Sequence, residues 1–534
     1  MHRIAAAALV AWSLTAGAQS ADLVLTNGHI VTVDEQFRIV QALAIRGERI
    51  VAAGASRDID SLKGPNTRLI DLRGRTVIPG LIDNHAHYMR AAEYWDREVR
   101  LDGVTSHKRA LELIARKARE SQPGEWVVVL GGWTEDQFVD EPRGFTRAEL
   151  DAAARANPVA LQLLYARVYA NSAALKALGH EESDGTLSGP AAVRALFAQL
   201  GEVGREKRAQ NARLLMHDLN RVGITAFQDE GGMGAKPEHV QAFRDVHDAG
   251  QMTLRAFYNQ WEQPRSAAEV DAVIANIGEL KPFQGDDWLD LTGYGETVYF
   301  PLHDNLLAKT AAISPEGMAL WRKLGLALAR QGVHLNVHAQ LAPSIKAFLD
   351  AIEAINREKP IRGLRWTLSH LDQVDADDLA RMRRLDVYAQ LHSRPTIQGA
   401  LMKKVHGEEA LHMPPLRLVQ ESGVPWGLGS DATAVAPANP FYTLGWAVTG
   451  KALSGTMVNT QTITREQALI AHTRSNAAFL FQEANLGALA PGKYADLLVL
   501  DRDYLKVPAD AIKDIRPLMT MVGGRIVYEA PNTP

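Results

Sequence analysis

The stretch Val77-Ile78-Pro79-Gly80-Leu81-Ile82-Asp83-Asn84-His85-Ala86-His87 decides the reading of this 534-residue chain. An apolar run closes on two histidines one residue apart. Side chains at i and i+2 of a β-strand share a face, so His85 and His87 can aim two imidazoles at one point. Two neutral nitrogen donors at the end of a strand propose a metal site. Taken alone, the pair equally fits a chance His-x-His in a loop.

Downstream, short β-rich runs alternate with helical stretches, the pattern of parallel βα units. The candidate strands are Ile82–His87, Ile224–Asp229, Leu254–Asn259, Leu291–Glu296, His334–His338, Trp366–His370, Val387–Leu391 and Trp426–Asp431. Helices such as Pro315–Gln331 and Pro343–Arg357 fall between them. Together they predict an α/β fold, a (β/α)8 barrel with its reactive groups at the C-terminal strand ends. Those ends carry His85 and His87, Glu296, His338, His370 and Asp431. Such imidazoles and carboxylates could hold one or two zinc-like divalent ions with positions left for water. Singly, His338 and His370 fit satisfied core histidines, Glu296 an ion-pair partner and Asp431 a helix cap. A single site explains all of them at once.

Both ends of the chain read differently from the middle. Asp22 to Asp71 is a series of short apolar runs broken by glycine, and Ala495–Leu500 and Val522–Tyr528 repeat the pattern. A small β-sandwich built from both termini is expected, over residues 19–73 and 485–534, flanking a barrel over 74–484. The stretch from about 88 to 216 is too long for one connection. With strands of its own at Trp126–Trp133 and Val159–Tyr165, it reads as an insertion near the barrel mouth.

Composition narrows the function. The chain is 46% hydrophobic and 22% charged with a net charge of −4, which argues against nucleic acid or acidic membranes as partners. His2-Arg3, the apolar Ile4–Leu14 and Ala16-Gly17-Ala18 read as a cleavable signal peptide over residues 1–18, with an uncleaved anchor as the competing reading. The apolar part is too short for a permanent span, so no stable membrane insertion is expected after cleavage. With no cysteine in the chain, neither disulfides nor a lipid-anchored lipoprotein can form. The expectation is a periplasmic or secreted bacterial protein with a small-molecule substrate; a homo-oligomer is left open.

The motifs in this order resemble the amidohydrolase superfamily. Pro79–His87 looks like its opening motif and Gly429-Ser430-Asp431 like its closing one, while Leu486–Leu497 is similar to the segment returning to its β-domain. The insertion, with Gly131-Gly132-Trp133 and Tyr169-Ala170-Asn171-Ser172, is similar to the amidohydrolase-3 or N-substituted formamide deformylase-like branch. The resemblance implies a hydrolase that activates water with a divalent metal, zinc first, and cleaves an amide-like C–N bond. Asp431 would be the proton shuttle. One departure matters: many relatives carry a lysine at the fourth strand, carboxylated to bridge two metals, where this chain has Glu296. A permanent carboxylate there keeps a bridged pair in view, and two ions are favoured over one. The competing arrangement is mononuclear, on His85, His87, His338 and Asp431.

Specificity is less legible. His392 and Arg394 follow the seventh strand, and Arg394 fits either a fork for a substrate carboxylate or a structural salt bridge. Trp133, Arg167 and Tyr169 would wall a pocket or simply pack the insertion. A deaminase, a lactonase, or a lyase or isomerase on the same site are the alternative reactions. A binding protein that has lost turnover is the remote one.

Overall fold

The computed structural model describes residues 20–531, so the signal-peptide reading of residues 1–18 lies outside the described residues. Its centre is a sheet of eight parallel strands. In chain order these are Leu81–Ala86, Ile224–Asp229, Arg255–Gln260, Leu289–Tyr294, His334–Ala339, Thr367–His370, Tyr388–His392 and Trp426–Gly429. They are called the first to eighth barrel strands below. Each pairs with the next in sequence, and helices such as Pro315–Gln331 and Ala342–Glu358 pack outside them. The (β/α)8 expectation holds.

The first and eighth strands meet at a seam that side chains seal. Asn476 donates through Nδ2 to the carbonyls of Ile82 and Leu428, both at 2.6 Å, and accepts from Asn84 at 2.8 Å. Asp83 accepts from the Ser430 backbone at 2.9 Å. One buried amide thus supplies hydrogen bonds that a continuous ladder would otherwise give.

The opening stretch crosses a domain junction. Thr76–Pro79 pairs with His29–Val31 and Leu497–Leu500 in a six-stranded sheet, not in the barrel. That sheet joins both ends of the described chain, since it also contains Pro517–Val522 and Arg525–Glu529. A four-stranded sheet of Leu23–Thr26, Ala42–Arg46, Arg49–Gly54 and Arg68–Asp71 shares a core with it through Leu25, Leu43, Val77, Leu497 and Met521. The chain turns from one domain to the other at Gly80, where a Cβ would lie 2.1 Å from Thr225 Oγ1. Only glycine fits so close an approach. A buried pair, Arg255 to Asp496 at 2.8 Å, pins the C-terminal β-domain to the third barrel strand.

The insertion has its own sheet of Val127–Val129, Val159–Leu163, Arg167–Ala170 and Thr186–Ser188. Both of the expected strands are shorter than read: Gly131 and Gly132, at φ +115° and +74°, turn the chain out after the first, and Leu164, at φ +49°, turns it after the second. A Cβ on Gly131 would sit 2.4 Å from the Ala434 backbone, so this turn lies tight against the loop after the eighth strand. The helix Arg205–Arg221 packs on the barrel through Ala212, Leu215, Met216 and Leu219. The inserted body therefore closes near residue 204, short of the 216 expected.

Candidate metal centre

All the expected donors converge at the C-terminal end of the barrel. His85 ends the first strand; its Nδ1 faces Gln390 Oε1 at 3.2 Å, an acceptor, so the proton sits there. Its Nε2 is buried, has no hydrogen-bond partner, and points at Glu296 Oε2 at 3.5 Å and Asp431 Oδ1 at 3.8 Å. His87 repeats the device one step on. Its Nδ1 faces the Gly231 carbonyl at 3.1 Å, and its Nε2 lies 3.1 Å from Asp431 Oδ1 and 3.6 Å from Glu296 Oε1. Tying the outer nitrogen to an acceptor fixes the tautomer and presents the inner lone pair, as metal-ligating histidines require.

A second trio stands beside the first. His338 Nδ1 is 3.3 Å and His370 Nε2 3.2 Å from Glu296 Oε2. His338 Nε2 faces Asp304, 3.0 Å from its carboxylate and 3.1 Å from its carbonyl. His370 Nδ1 meets His392 Nδ1 at 2.6 Å and also Arg394 Nη2. In each of the trios His85–His87–Asp431 and Glu296–His338–His370, the ligand atoms lie within 4.8 Å of one another. Glu296 lies between both, with Oε2 facing His85, His338 and His370 and Oε1 facing His87. It reaches this position from two residues beyond the end of the fourth strand, and Asp431 likewise lies two beyond the eighth. His370 and Asp431 hold left-handed backbone, φ +79° and +64°, where non-glycine residues are strained.

The electrostatics suit cations. Burial would raise the Glu296 carboxyl, but hydrogen bonds from His338 and His370 override it and hold it well below the usual range. Asp431 follows the same rule, with Arg394 the main opposing cause. Burial pushes His85, His370 and His392 down, which keeps them in the neutral, ligating form. His338 goes the other way, to about 10: burial is outweighed by Asp304 and Glu296. An oxygen and nitrogen donor set, oriented from behind and gathered around one shared carboxylate, fits one or two divalent ions.

The other expected residues divide. His392 is at the centre, with its ring 4.2 Å from that of His85 and its Nε2 buried without a partner. Arg394 is there too, but its Nε holds Asp431 Oδ2 at 2.7 Å, so the salt-bridge reading stands over the substrate fork. Trp133, Arg167 and Tyr169 are not brought to the donors. Trp133 is fully buried in the insertion core against Phe138 and Phe145, with Nε1 donating to the Gln162 carbonyl at 2.9 Å. Arg167 and Tyr169 both bind Glu135. These side chains satisfy one another within the insertion.

Several supporting residues escaped the sequence reading. Gln390 and Asn336 sit two positions before His392 and His338, so strand periodicity puts them on the same face, and that signal was available. Asn336 Nδ2 donates to Gln390 Oε1 and to Glu230 Oε1, both at 2.7 Å, while Asn259 holds the other Glu230 oxygen at 2.6 Å. Burial raises the Glu230 carboxyl well above its ordinary value. Asp304 lies in a loop without periodicity, and nothing in the sequence flags it.

A parallel eight-stranded barrel with histidines and carboxylates able to hold a metal at its C-terminal mouth has the architecture of the (β/α)8 metal-dependent hydrolases. The profile of the amidohydrolase family matches residues 68–528, and the chain belongs to that family, in its amidohydrolase-3 branch. Membership of this family makes it a metal-dependent hydrolase. The N-substituted formamide deformylase of Arthrobacter pascens is 26% identical over 96% of this chain and 99% of its own length. An uncharacterized metal-dependent hydrolase from Pyrococcus furiosus superposes with a TM-score of 0.66 at 21% identity, covering 91% of this chain and all of its own (100%). Atrazine chlorohydrolase TrzN from Arthrobacter aurescens TC1, complexed with zinc, gives 0.55 at 16% identity, covering 95% of each chain.

Proposed function

We propose that this protein is an exported, zinc-dependent hydrolase that cleaves an amide-like C–N bond of a small molecule, with Asp431 shuttling the proton. The observation that carries the reading is Glu296 standing between two histidine sets, His85 with His87 and His338 with His370. Its similarity to a formamide deformylase supports the bond type, and the zinc-bound fold relative supports the ion. Export rests on the sequence of residues 1–18 alone.

His85, His87 and Asp431 would hold one ion, His338 and His370 the other, and Glu296 would reach both. Bound divalent ions supply Lewis acidity that makes water a nucleophile near neutral pH and polarises the scissile carbonyl. The protein supplies position and proton transfer. Arg394 fixes Asp431 Oδ2, which leaves Oδ1 turned inward beside His87. That oxygen takes the proton from the attacking water and returns it to the departing nitrogen as the tetrahedral intermediate collapses. Arg394 also makes Asp431 a weaker base, which favours the return of the proton.

Asp431→Asn tests the role. Turnover of an N-substituted formamide per metal-loaded chain should fall by about 10²- to 10⁴-fold, as measured by product analysis and elemental analysis on the same sample. Near-normal turnover would remove Asp431 from the proton path.

A further inference from the structure

We propose that Asp372 and Gln340 form a subsite at the barrel mouth for a protonated amino group on the substrate. This deepens the hydrolase reading above and rests on it for the word substrate. The fifth and sixth strands end at Ala339 and His370, and the two chains run on side by side. Leu371 N–H donates to the Ala339 carbonyl at 2.9 Å and Gln373 N–H to the Gln340 carbonyl at 3.0 Å. Gln340 and Asp372 therefore occupy adjacent loops, each two residues past a histidine of the metal centre.

Both side chains are buried, with 4% exposure for Asp372 and 3% for Gln340. Yet Asp372 Oδ2 and Gln340 Oε1 accept no hydrogen bond from any described residue. The neighbouring buried carboxylates behave differently. Asp304 accepts from the Gln340 and Leu341 backbones and from Ser344. Asp229 is held by the N–H groups of Met89 and Gly231, and Asp83 by Tyr88 and Ser430. Glu230 has two amide donors. Asp372 stands apart from all of these.

Leaving a buried acceptor unpaired is costly, more so for a charge, so the pair calls for a donor from elsewhere. Arg394 lies within electrostatic reach of Asp372 but is engaged by Asp431. His338 lies within that reach as well, as do the carboxylates of Asp304 and Asp431, so groups of both signs surround it. Two unpaired buried acceptors, one of them a carboxylate, complement an ammonium, which offers three N–H groups and one positive charge. Because the subsite adjoins His338 and His370, the amino group would ride on the same molecule as the scissile bond. The chemical class is an N-acyl or N-formyl derivative of a diamine or other amine-bearing compound.

The test uses the full metal-loaded protein near neutral pH. In calorimetric titration, n-butylammonium should bind about 10- to 100-fold more tightly than n-butanol, and Asp372→Asn should abolish that preference. Gln340→Met should weaken the preference by about 2- to 10-fold, so a poorly folding Asp372 variant does not leave the idea unjudged. In turnover, the monoformyl derivative of 1,4-diaminobutane should surpass N-butylformamide by a similar factor in kcat/KM, carried mainly by KM. Equal binding of the alcohol and the ammonium to the wild type overturns the subsite, as does a preference that survives in Asp372→Asn. Cleavage of neither formamide defeats the hydrolase reading instead, while the titration still decides the subsite.

Discussion

The barrel mouth and the insertion above it are both rich in polar and aromatic side chains, but they use them in opposite ways. In the insertion, Arg167, Tyr169 and Glu135 satisfy one another, and Trp133 is enclosed by Phe138, Phe145 and Tyr169. At the mouth, His85 and His392 keep a buried Nε2 without a partner, and Asp372 and Gln340 keep an unpaired oxygen. Satisfied groups make structure. Unpaired buried atoms occur in the insertion too, at Gln162 Oε1 and Glu98 Oε2, but at the mouth they stand among the candidate metal ligands, where something else can bind.

That contrast can be broken by substitution. Trp133→Ala should cost about 3–5 kcal/mol of stability, read as a lowered thermal midpoint, with metal content per folded chain unchanged. Loss of metal from the folded fraction would join the insertion core to the site. The root of the insertion gives a test that depends on pH. Glu93 is buried against His239 and Arg208, and although burial opposes it, these partners lower its pKa from 4.5 to about 2. A depressed carboxylate pKa stabilises the fold above the unfolded value, here 4.5, and that contribution fades as pH falls toward 2. Glu93→Gln should therefore be less stable than wild type by roughly 3 kcal/mol at pH 7, with the gap closing through this window. A gap that stays constant down to pH 2 would contradict the ion-pair account. The smallest effect belongs behind the metal centre. Gln390→Met removes the acceptor for His85 Nδ1 and should weaken metal affinity about 10- to 100-fold in competition with a chelator. Unchanged affinity would show that His85 needs no such support.

The same contrast explains what could be read from the sequence. Strand periodicity located the barrel and its ligands, because a period of two fixes which residues face inward and the end of an apolar run fixes the rim. The reading slipped by two residues at Glu296 and Asp431, which lie on the turns beyond their strands, where periodicity no longer applies. Residues that act by holding others divide the same way. Gln390 and Asn336 share the strand period and could have been found, whereas Asp304 reaches His338 through a loop whose path only tertiary packing determines. Trp133 and Tyr169 were misleading because an aromatic side chain in an insertion looks the same in sequence whether it lines a pocket or fills a core. Taking the barrel from residue 74 puts Thr76–Pro79 on the wrong side of the domain junction, and its pairing partners assign it to the β-domain.

Glu296, standing between the two histidine sets, is the carboxylate that two metal positions would share. Elemental analysis of wild type and Glu296→Ala, both purified without chelator, tests that sharing most directly. About two zinc-like ions per chain are expected, falling to one or fewer in the variant. One ion per chain in both proteins would contradict it and return the site to a mononuclear centre in which Glu296 only orients His338 and His370.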